Sequence, residues 1–401
     1  MSDTALTFPL TNLPTHEGAP LSPDAPVIIA ARRTPITTKG GRLAQFQAEE
    51  LAAVVLRAVV DDAARVLGRE FPIGDVILGN CMGPGGNTAR VASLAAGLDV
   101  RIPGMTIDRQ CGSGLAAIVT AADSISAGDA RLRIAGGVES ASTAPTRTAA
   151  GTGAPYSRAA FAPDGFPDPE MGPAAEHLAG LHGITRERQD AYALRSHDLA
   201  VAAQHRGAFD EELVALSDVV ADDGPRSGMS AMLGRFPALH GGTVTAGNSC
   251  RISDGAAAVA IVPAALRGTA PGLVIRATAT IGCDPATPGI GPVDAVRDLL
   301  DRTGLTLDDM AAFELVEAFA SQSLAVWQEL GLAGEDGVDP RVCADGGALA
   351  LGHPWGASGA VGLVRLFSRL VRAGAPAGAR GIATVAVGGG MGIAALVEVV
   401  R

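Results

Sequence analysis

The sequence predicts an α/β protein made of two similar halves, and three observations carry that prediction. Short β-rich apolar runs alternate with helical patterns, the signature of βαβ units and a largely parallel sheet. The chain holds 52 glycines and only 3% aromatics, a composition suited to many tight strand–helix turns. At 401 residues it is longer than one core supports, since single cores stop growing near ~250–300 residues.

In the first half, Val27–Ala31, Asp75–Leu78, Met105–Ile107 and Arg133–Ala135 read as strands, with helices near Glu49–Val66, Thr88–Ala96 and Gly112–Ala127 between them. The plan recurs in the second half. There Leu273–Ala277, Ala312–Val316, Val342–Ala344 and Ile382–Val387 read as strands, and Val293–Asp301, Ser321–Leu330 and Ala357–Val371 as helices. Gly112-Ser113-Gly114 opens one helix and Ala357-Ser358-Gly359 its counterpart. Each helix is followed by a strand expected to end in paired glycines, Gly136-Gly137 and Gly388-Gly389. This is a weak internal duplication. Gly381 to Val397 carries no charge, but it is shorter than the ~20 residues of a membrane span and is broken by glycines, so two buried strands around a glycine turn are expected.

Residues 1–25, rich in Pro, Thr and Ser and without the pattern of a signal peptide, read as a flexible arm. Residues 26–270 form the first half and 271–401 the second. From about 143 to 242 the alternation breaks into Pro- and Gly-rich stretches around one helical run, Arg186–Gln204, with Thr185 as N-cap. An insertion of this length reads as a loop domain in which substrate contacts should be sought.

The net charge of −11 argues against broad binding to nucleic acid or an anionic membrane, so a phosphate-bearing ligand must meet a local cluster of donors. Arginine must supply them, because Lys39 is the only lysine. Cys81, Cys111, Cys250, Cys283 and Cys343 are scattered singly, with no CxxC and no short-range histidine pairing. That pattern predicts no metal site and reduced thiols in a cytoplasmic protein.

Cys111 follows a predicted strand and precedes the helix opened by Gly112-Ser113-Gly114. A thiol at a helix N-terminus feels the positive end of the macrodipole, which lowers cysteine pKa values from about 8.5 to roughly 3.5–7.5, most of all beside a histidine. Read alone, a lone cysteine is more often a buried structural residue. His353 lies within Gly346-Gly347-Ala348-Leu349-Ala350-Leu351-Gly352-His353-Pro354-Trp355-Gly356-Ala357-Ser358-Gly359, where glycines allow close backbone approach and Pro354 fixes the turn.

Asp108-Arg109-Gln110-Cys111-Gly112-Ser113-Gly114, Val316-Glu317-Ala318-Phe319-Ala320, the His353 block and Val387-Gly388-Gly389-Gly390-Met391-Gly392 resemble, in order and spacing, the signature blocks of the thiolases. The resemblance extends to Arg33-Thr34-Pro35, Gly136 to Ser140, Met171-Gly172, Arg186 to Ser196 and Thr243 to Asp254, covering nearly all of the chain past residue 25. It implies a five-layer αβαβα fold and acyl transfer from coenzyme A through a thioester on Cys111. His353 would deprotonate the nucleophile, and the backbone amides of Cys111 and Gly388 would form an oxyanion hole. It further implies substrate contacts at Met171, Arg226, Ser249, Cys250, Val316 and Phe319, a coenzyme A thioester as substrate with no permanently bound cofactor, and a homodimer.

Three positions depart from the family. The second cysteine, which takes the α-proton of the acceptor, is replaced by Ala386. The usual Asn-Glu begins Val316-Glu317, and Asn-Ala-Ser-Gly reads Asn248-Ser249-Cys250-Arg251. Three readings follow. The first is an acyltransferase that loads Cys111 and passes the acyl group to an acceptor needing no cysteine base. The second is ordinary thiolase chemistry with a base relocated to Cys343 or Cys250. The third is a catalytically silent thiolase-like binding subunit.

Overall fold

The computed structural model describes residues 21–335 and 337–401. Its principal elements are β1 (Pro26–Arg33), α1 (Ala48–Leu67), β2 (Ile73–Gly79), α2 (Thr88–Ala95), β3 (Gly104–Ile107), α3 (Ser113–Ser126) and β4 (Leu132–Glu139) in the first half. The insertion contributes α4 (Met171–Leu181) and α5 (Arg186–His205), and β5 (Ser253–Pro263) closes the half. The second half holds β6 (Gly272–Gly282), α6 (Gly291–Thr303), β7 (Met310–Leu315), α7 (Ala320–Glu329), α8 (Trp355–Leu366), β8 (Arg380–Val387) and β9 (Met391–Val400).

The strands form one continuous sheet in the order β7-β8-β9-β6-β1-β5-β4-β2-β3. Parallel pairing is confined to β2 with β3 and β4, and β7 with β8; the middle of the sheet is antiparallel, so the largely parallel sheet expected from sequence is in fact mixed. Two strands that come late in each half, β5 and β9, return antiparallel beside their neighbours and change the balance. β1 joins the halves, pairing Val27 with Val274 and Ile28 with Leu273 of β6.

The duplication is explicit in this order. Counting strands within each half, the first lies 3-2-4-5-1 across the sheet. The second follows the same order, with Val342 bridging Phe313 in the place that β3 takes beside β2. The strand expected at Val342–Ala344 is reduced to that single bridge because Cys343 has φ +41, which turns the chain out of the extended region.

Both faces of the sheet are covered along β5 and β9, which is why these strands carry no polar alternation, whereas β6 turns Arg276, Thr278 and Thr280 outward over its second half. All of β5 is buried: Ala256, Ala258, Ala260 and Val262 face an outer core under α1 and α2, while Ala257, Val259 and Ile261 face the middle core. β9 does the same, with Ala394 and Leu396 toward the outer core shared with α6 and α7, and Ile393, Ala395, Val397 and Val399 toward the middle. α3 and α8 fill that middle layer, each packing on strands of both halves, and five layers in the order αβαβα result. The two helices approach to backbone contact. A Cβ on Gly114 would stand 2.8 Å from Gly356 O, and one on Gly359 would stand 2.8 Å from Leu115 N.

Three local expectations change. Gly136 and Gly137 lie inside β4 rather than at its end, because a Cβ at either would strike Ala257 O or Gly356 O at 2.0 or 1.9 Å. The helix expected over Ala357–Val371 begins earlier, at Trp355, and widens into a π-helical turn over Phe367–Arg372. Residues 1–20 of the expected arm lie outside the described residues, but 21–25 are held: Leu21 packs on the outer core, and Ala264 N and Ala265 N donate to Ala25 O and Pro23 O.

A buried ionic network locks the insertion to both halves. Arg33 of β1, fully buried, donates Nε to Glu212 at 2.7 Å and its two Nη groups to Asp222 at 2.6 and 2.9 Å. Arg365 of α8 bonds the other oxygen of Glu212 and also Asp345, and Ser368 Oγ donates to Glu212 at 2.6 Å. Among the described residues, no helix is long and apolar enough to cross a membrane.

Candidate active site

Cys111 stands in the tight turn between β3 and α3. Gln110 takes φ +45, a left-handed conformation that costs a non-glycine residue roughly 1–3 kcal/mol and persists only where the surroundings enforce it. Ser113 supplies the enforcement, accepting from Arg109 N at 2.8 Å and donating to Gln110 O at 2.6 Å. The turn holds the thiol just ahead of α3, where the backbone N–H groups of Cys111 itself and of Gly388 act to favour its charged form.

The low thiol pKa expected from the helix end is not what the site produces. Burial pushes Cys111 up to about 12, helped by the carboxylates of Glu139 and Asp108, and the two amides offset only part of this. Desolvation outweighs the helix terminus. The resting residue is therefore a thiol.

His353, the other residue singled out in the sequence, is a buried imidazole. It is 2% exposed, and burial lowers its pKa to about 4, so the ring is neutral at physiological pH. Its Nδ1 lies 2.6 Å from Ser358 Oγ, whose own proton goes to Pro354 O at 3.0 Å. A hydroxyl that has spent its proton can only accept, so Nδ1 carries the ring proton and Nε2 keeps its lone pair. Nε2 is buried and has no hydrogen-bond partner, an arrangement that persists at reactive centres.

Two carboxylates that the sequence reading did not single out hold this apparatus. Glu317 accepts from Tyr192 Oη at 2.8 Å, Ser196 Oγ at 2.7 Å and Leu349 N at 3.3 Å, tying α5 to the loop that leads into His353. Glu139, raised to about 7 by burial, accepts from Asn80 Nδ2, Cys81 N, Met82 N and Gly356 N at 3.0–3.2 Å. It thereby joins the first half to the start of α8. Both glutamates lay inside matched sequence blocks, which was the available signal.

The other expected site residues fall as follows. Ser249 bridges Phe319, and Cys250 N donates to Ala318 O at 2.9 Å; the same segment then meets the histidine through Arg251 O, which accepts from His353 N at 2.9 Å. The Cys250 thiol is pushed up to about 12 by burial and then by the neighbouring Cys111, so the two thiols are close. Cys343 is different: fully buried in the core under α6 and α7, it points its sulfur at Leu315 O. Cys81 donates to Gln110 O at 3.0 Å, one residue before Cys111. Val316 is buried in the middle core, and Ala386 of β8 pairs with Gly392 of β9. Met171 opens α4, half-buried. Arg226 is exposed; its amide donates to His197 Nδ1, and burial together with Arg251 and Arg226 depresses that imidazole to about 4. Among the described residues, no group of three His, Cys, Asp or Glu side chains could hold a metal ion.

A thiol influenced by two backbone amides, and a neutral imidazole with a free lone pair reached through the segment of Cys250 and Arg251, are the groups that acyl transfer uses. Comparison with known proteins agrees. Residues 26–265 match the family model of the thiolase N-terminal domain, and 270–399 that of the thiolase C-terminal domain. An acetyl-CoA acetyltransferase of Pseudomonas aeruginosa is 40% identical over 395 residues, covering 92% of this chain and 98% of that protein. One of Cupriavidus necator is 40% identical over 398 residues, covering 93% and 98%. The crystal structure of the Bacillus anthracis acetyl-CoA acetyltransferase superposes with a TM-score of 0.84 at 36% identity, covering 94% of this chain and 99% of that one.

Proposed function

Because the chain belongs to the thiolase family and is an acyltransferase, we propose that it loads an acyl group from coenzyme A onto Cys111 and delivers it to an acceptor that needs no second cysteine base. His353 Nε2 takes the thiol proton as sulfur attacks the thioester carbonyl. The amides of Cys111 and Gly388 stabilise the tetrahedral oxyanion. Collapse breaks the bond to the coenzyme A sulfur, which leaves with the proton from the imidazolium. The observation that carries this reading is the unpartnered, buried Nε2 of His353, whose other nitrogen is committed to Ser358.

The second half-reaction is where this chain departs. Deprotonating an acetyl group needs a base at the acceptor carbon and a polarised enolate oxygen, and neither Ala386 nor Val316 can supply them. General base catalysis is worth about 10²–10⁴ in rate and one oxyanion donor about 10²–10³. Losing both removes Claisen condensation of two acetyl units at a useful rate. The acceptor is accordingly a decarboxylating malonyl unit, an already acidic carbon, an amine or water. An ordinary acetyl-CoA acetyltransferase with a relocated base is the second reading, favoured by the closeness of Cys250 to Cys111 and by the names of the relatives.

Arg226 and Arg251, both beside His197, offer positive charge to the phosphates of coenzyme A, with no permanently bound cofactor required. The setting is the cytoplasm, where the five free cysteines stay reduced. The working unit is a homodimer, paired through the edge strand β3 and the exposed Val91, Leu94, Val100 and Met105 around it; sedimentation as a monomer would refute that.

The test of the reaction is a burst experiment. An acyl-CoA should release one thiol per enzyme and leave the adduct on Cys111 by peptide mapping, followed by little turnover with acetyl-CoA as acceptor. Ala386→Cys with Val316→Asn should raise condensation. Wild-type protein that cleaves acetoacetyl-CoA at an ordinary rate of ~10 s⁻¹ would overturn the reading in favour of the second.

A further inference from the structure

The insertion places one aromatic ring against the oxyanion site. A Cβ built on Gly388 would stand 2.7 Å from Cε2 of Phe161, 3.0 Å from Cδ2 and 3.1 Å from Cζ, and one on Gly389 would meet Phe161 O at 3.2 Å. The ring and the glycine are thus matched, since any side chain at 388 would strike it. The N–H of that glycine acts on the Cys111 thiol, so the ring stands beside the surroundings of that sulfur.

Phe161 is not free to swing aside. The Arg158 guanidinium stacks on the ring, 4.5 Å from its centroid. Arg158 is itself fixed, with Nη1 on Asp168 at 2.9 Å, Nη2 on Asp168 O at 3.1 Å and Nε on Glu170 at 3.0 Å. Asp168 also accepts from Phe161 N at 3.3 Å, so one carboxylate pins both the ring's backbone and the cation that stacks on it. The strap runs directly into Met171 at the start of α4.

We propose that Phe161, held by Arg158 and Asp168, is the residue that sets acyl-chain length, admitting acetyl- and propionyl-sized groups to Cys111 and excluding medium-chain ones. The inference rests on the acyl-enzyme proposed above. A pocket wall of this kind discriminates by roughly 10–200-fold per methylene it rejects.

The experiment compares rates of Cys111 acylation by acetyl-, butyryl- and octanoyl-CoA in wild type, Phe161→Ala, Phe161→Leu and Arg158→Met, followed by rapid-quench intact mass. Wild type should favour acetyl over octanoyl by on the order of 10², and Phe161→Ala should reduce that ratio at least tenfold, about one methylene's discrimination. Phe161→Leu, which keeps a bulky side chain, should retain most of the preference. Arg158→Met leaves the ring but frees the strap, so it should shift the ratio the same way by less, and it decides the matter if Phe161→Ala does not fold. An unchanged ratio in folded Phe161→Ala, or a wild type that takes all three donors equally, overturns the assignment. If no donor labels Cys111 in wild type, the acyl-enzyme reading fails with it; labelling without a change in chain preference sinks the Phe161 assignment alone.

Discussion

Replacing Ser358 by alanine should slow acylation of Cys111 while leaving the fold intact. The hydroxyl is the acceptor, at 2.6 Å, that fixes the proton on Nδ1 of His353, and the imidazole is only 2% exposed. Without it two outcomes compete. Either Nδ1–H stays buried with no acceptor, at a cost of about 1–3 kcal/mol, or the proton moves to Nε2 and removes the lone pair that the thiol needs. At about 1.4 kcal/mol per factor of ten, the first outcome alone lowers the competent population roughly 5–150-fold. Since the thiol is held near 12, hydroxide cannot substitute for the base near neutral pH, and the loss should appear fully in the rate. Alanine is a good helix former in the first turn of α8, so the unfolding midpoint should move little. The measurement is the single-turnover rate of thioester formation, with Ser358→Thr as the variant that restores a hydroxyl. A burst within twofold of wild type, or a Thr variant no faster than Ala, would refute the tautomer argument.

The pH dependence follows from the same imidazole. Its pKa is lowered to about 4, so the neutral base is present above that value and lost as pH falls through it; acylation rates should hold between pH 6 and 5, where an ordinary histidine near ~6.5 would already be protonated. A single-turnover profile with a midpoint near that ordinary value contradicts this. Arg33→Met should destabilise the chain by about 3–5 kcal/mol, because Asp222 and one oxygen of Glu212 lose their buried cation. Urea unfolding checks it, and a shift under about 1 kcal/mol would place the network's value elsewhere.

Much of this was legible in the chain because strong local signals coincided with tertiary roles. Strands β1, β2, β3, β4, β6 and β8 announce themselves by β-branched residues, β7 by a short apolar run, and the cysteine and histidine blocks by their glycines. β5 did not. Its run Ser253-Asp254-Gly255-Ala256-Ala257-Ala258-Val259-Ala260-Ile261-Val262-Pro263 is rich in alanine, a helix former, and has no period of two because layers cover both faces. The antiparallel centre of the sheet was hidden for a related reason, since β1 meets β5 and β6 across more than 200 residues of chain. The thiol pKa failed as a sequence argument because the helix end is visible in sequence whereas burial and the carboxylate of Glu139 are not. Phe161 gave no signal at all: it lies in a Pro- and Gly-rich stretch, and only the fold carries it to Gly388.

The shared middle layer also governs how the chain can be made. α3 belongs to the half that is translated first, yet its apolar face, with Leu115, Ala116 and Ile118, is closed by α8 and β9 from the half that is translated last. At about 5–20 residues per second, the rest of the polypeptide leaves the ribosome on the order of ten seconds later. During that interval the first half presents a sticky surface that nothing of its own can cover. A nascent chain stalled after β5 should therefore bind a holdase chaperone, and release should coincide with the emergence of α8 and β9.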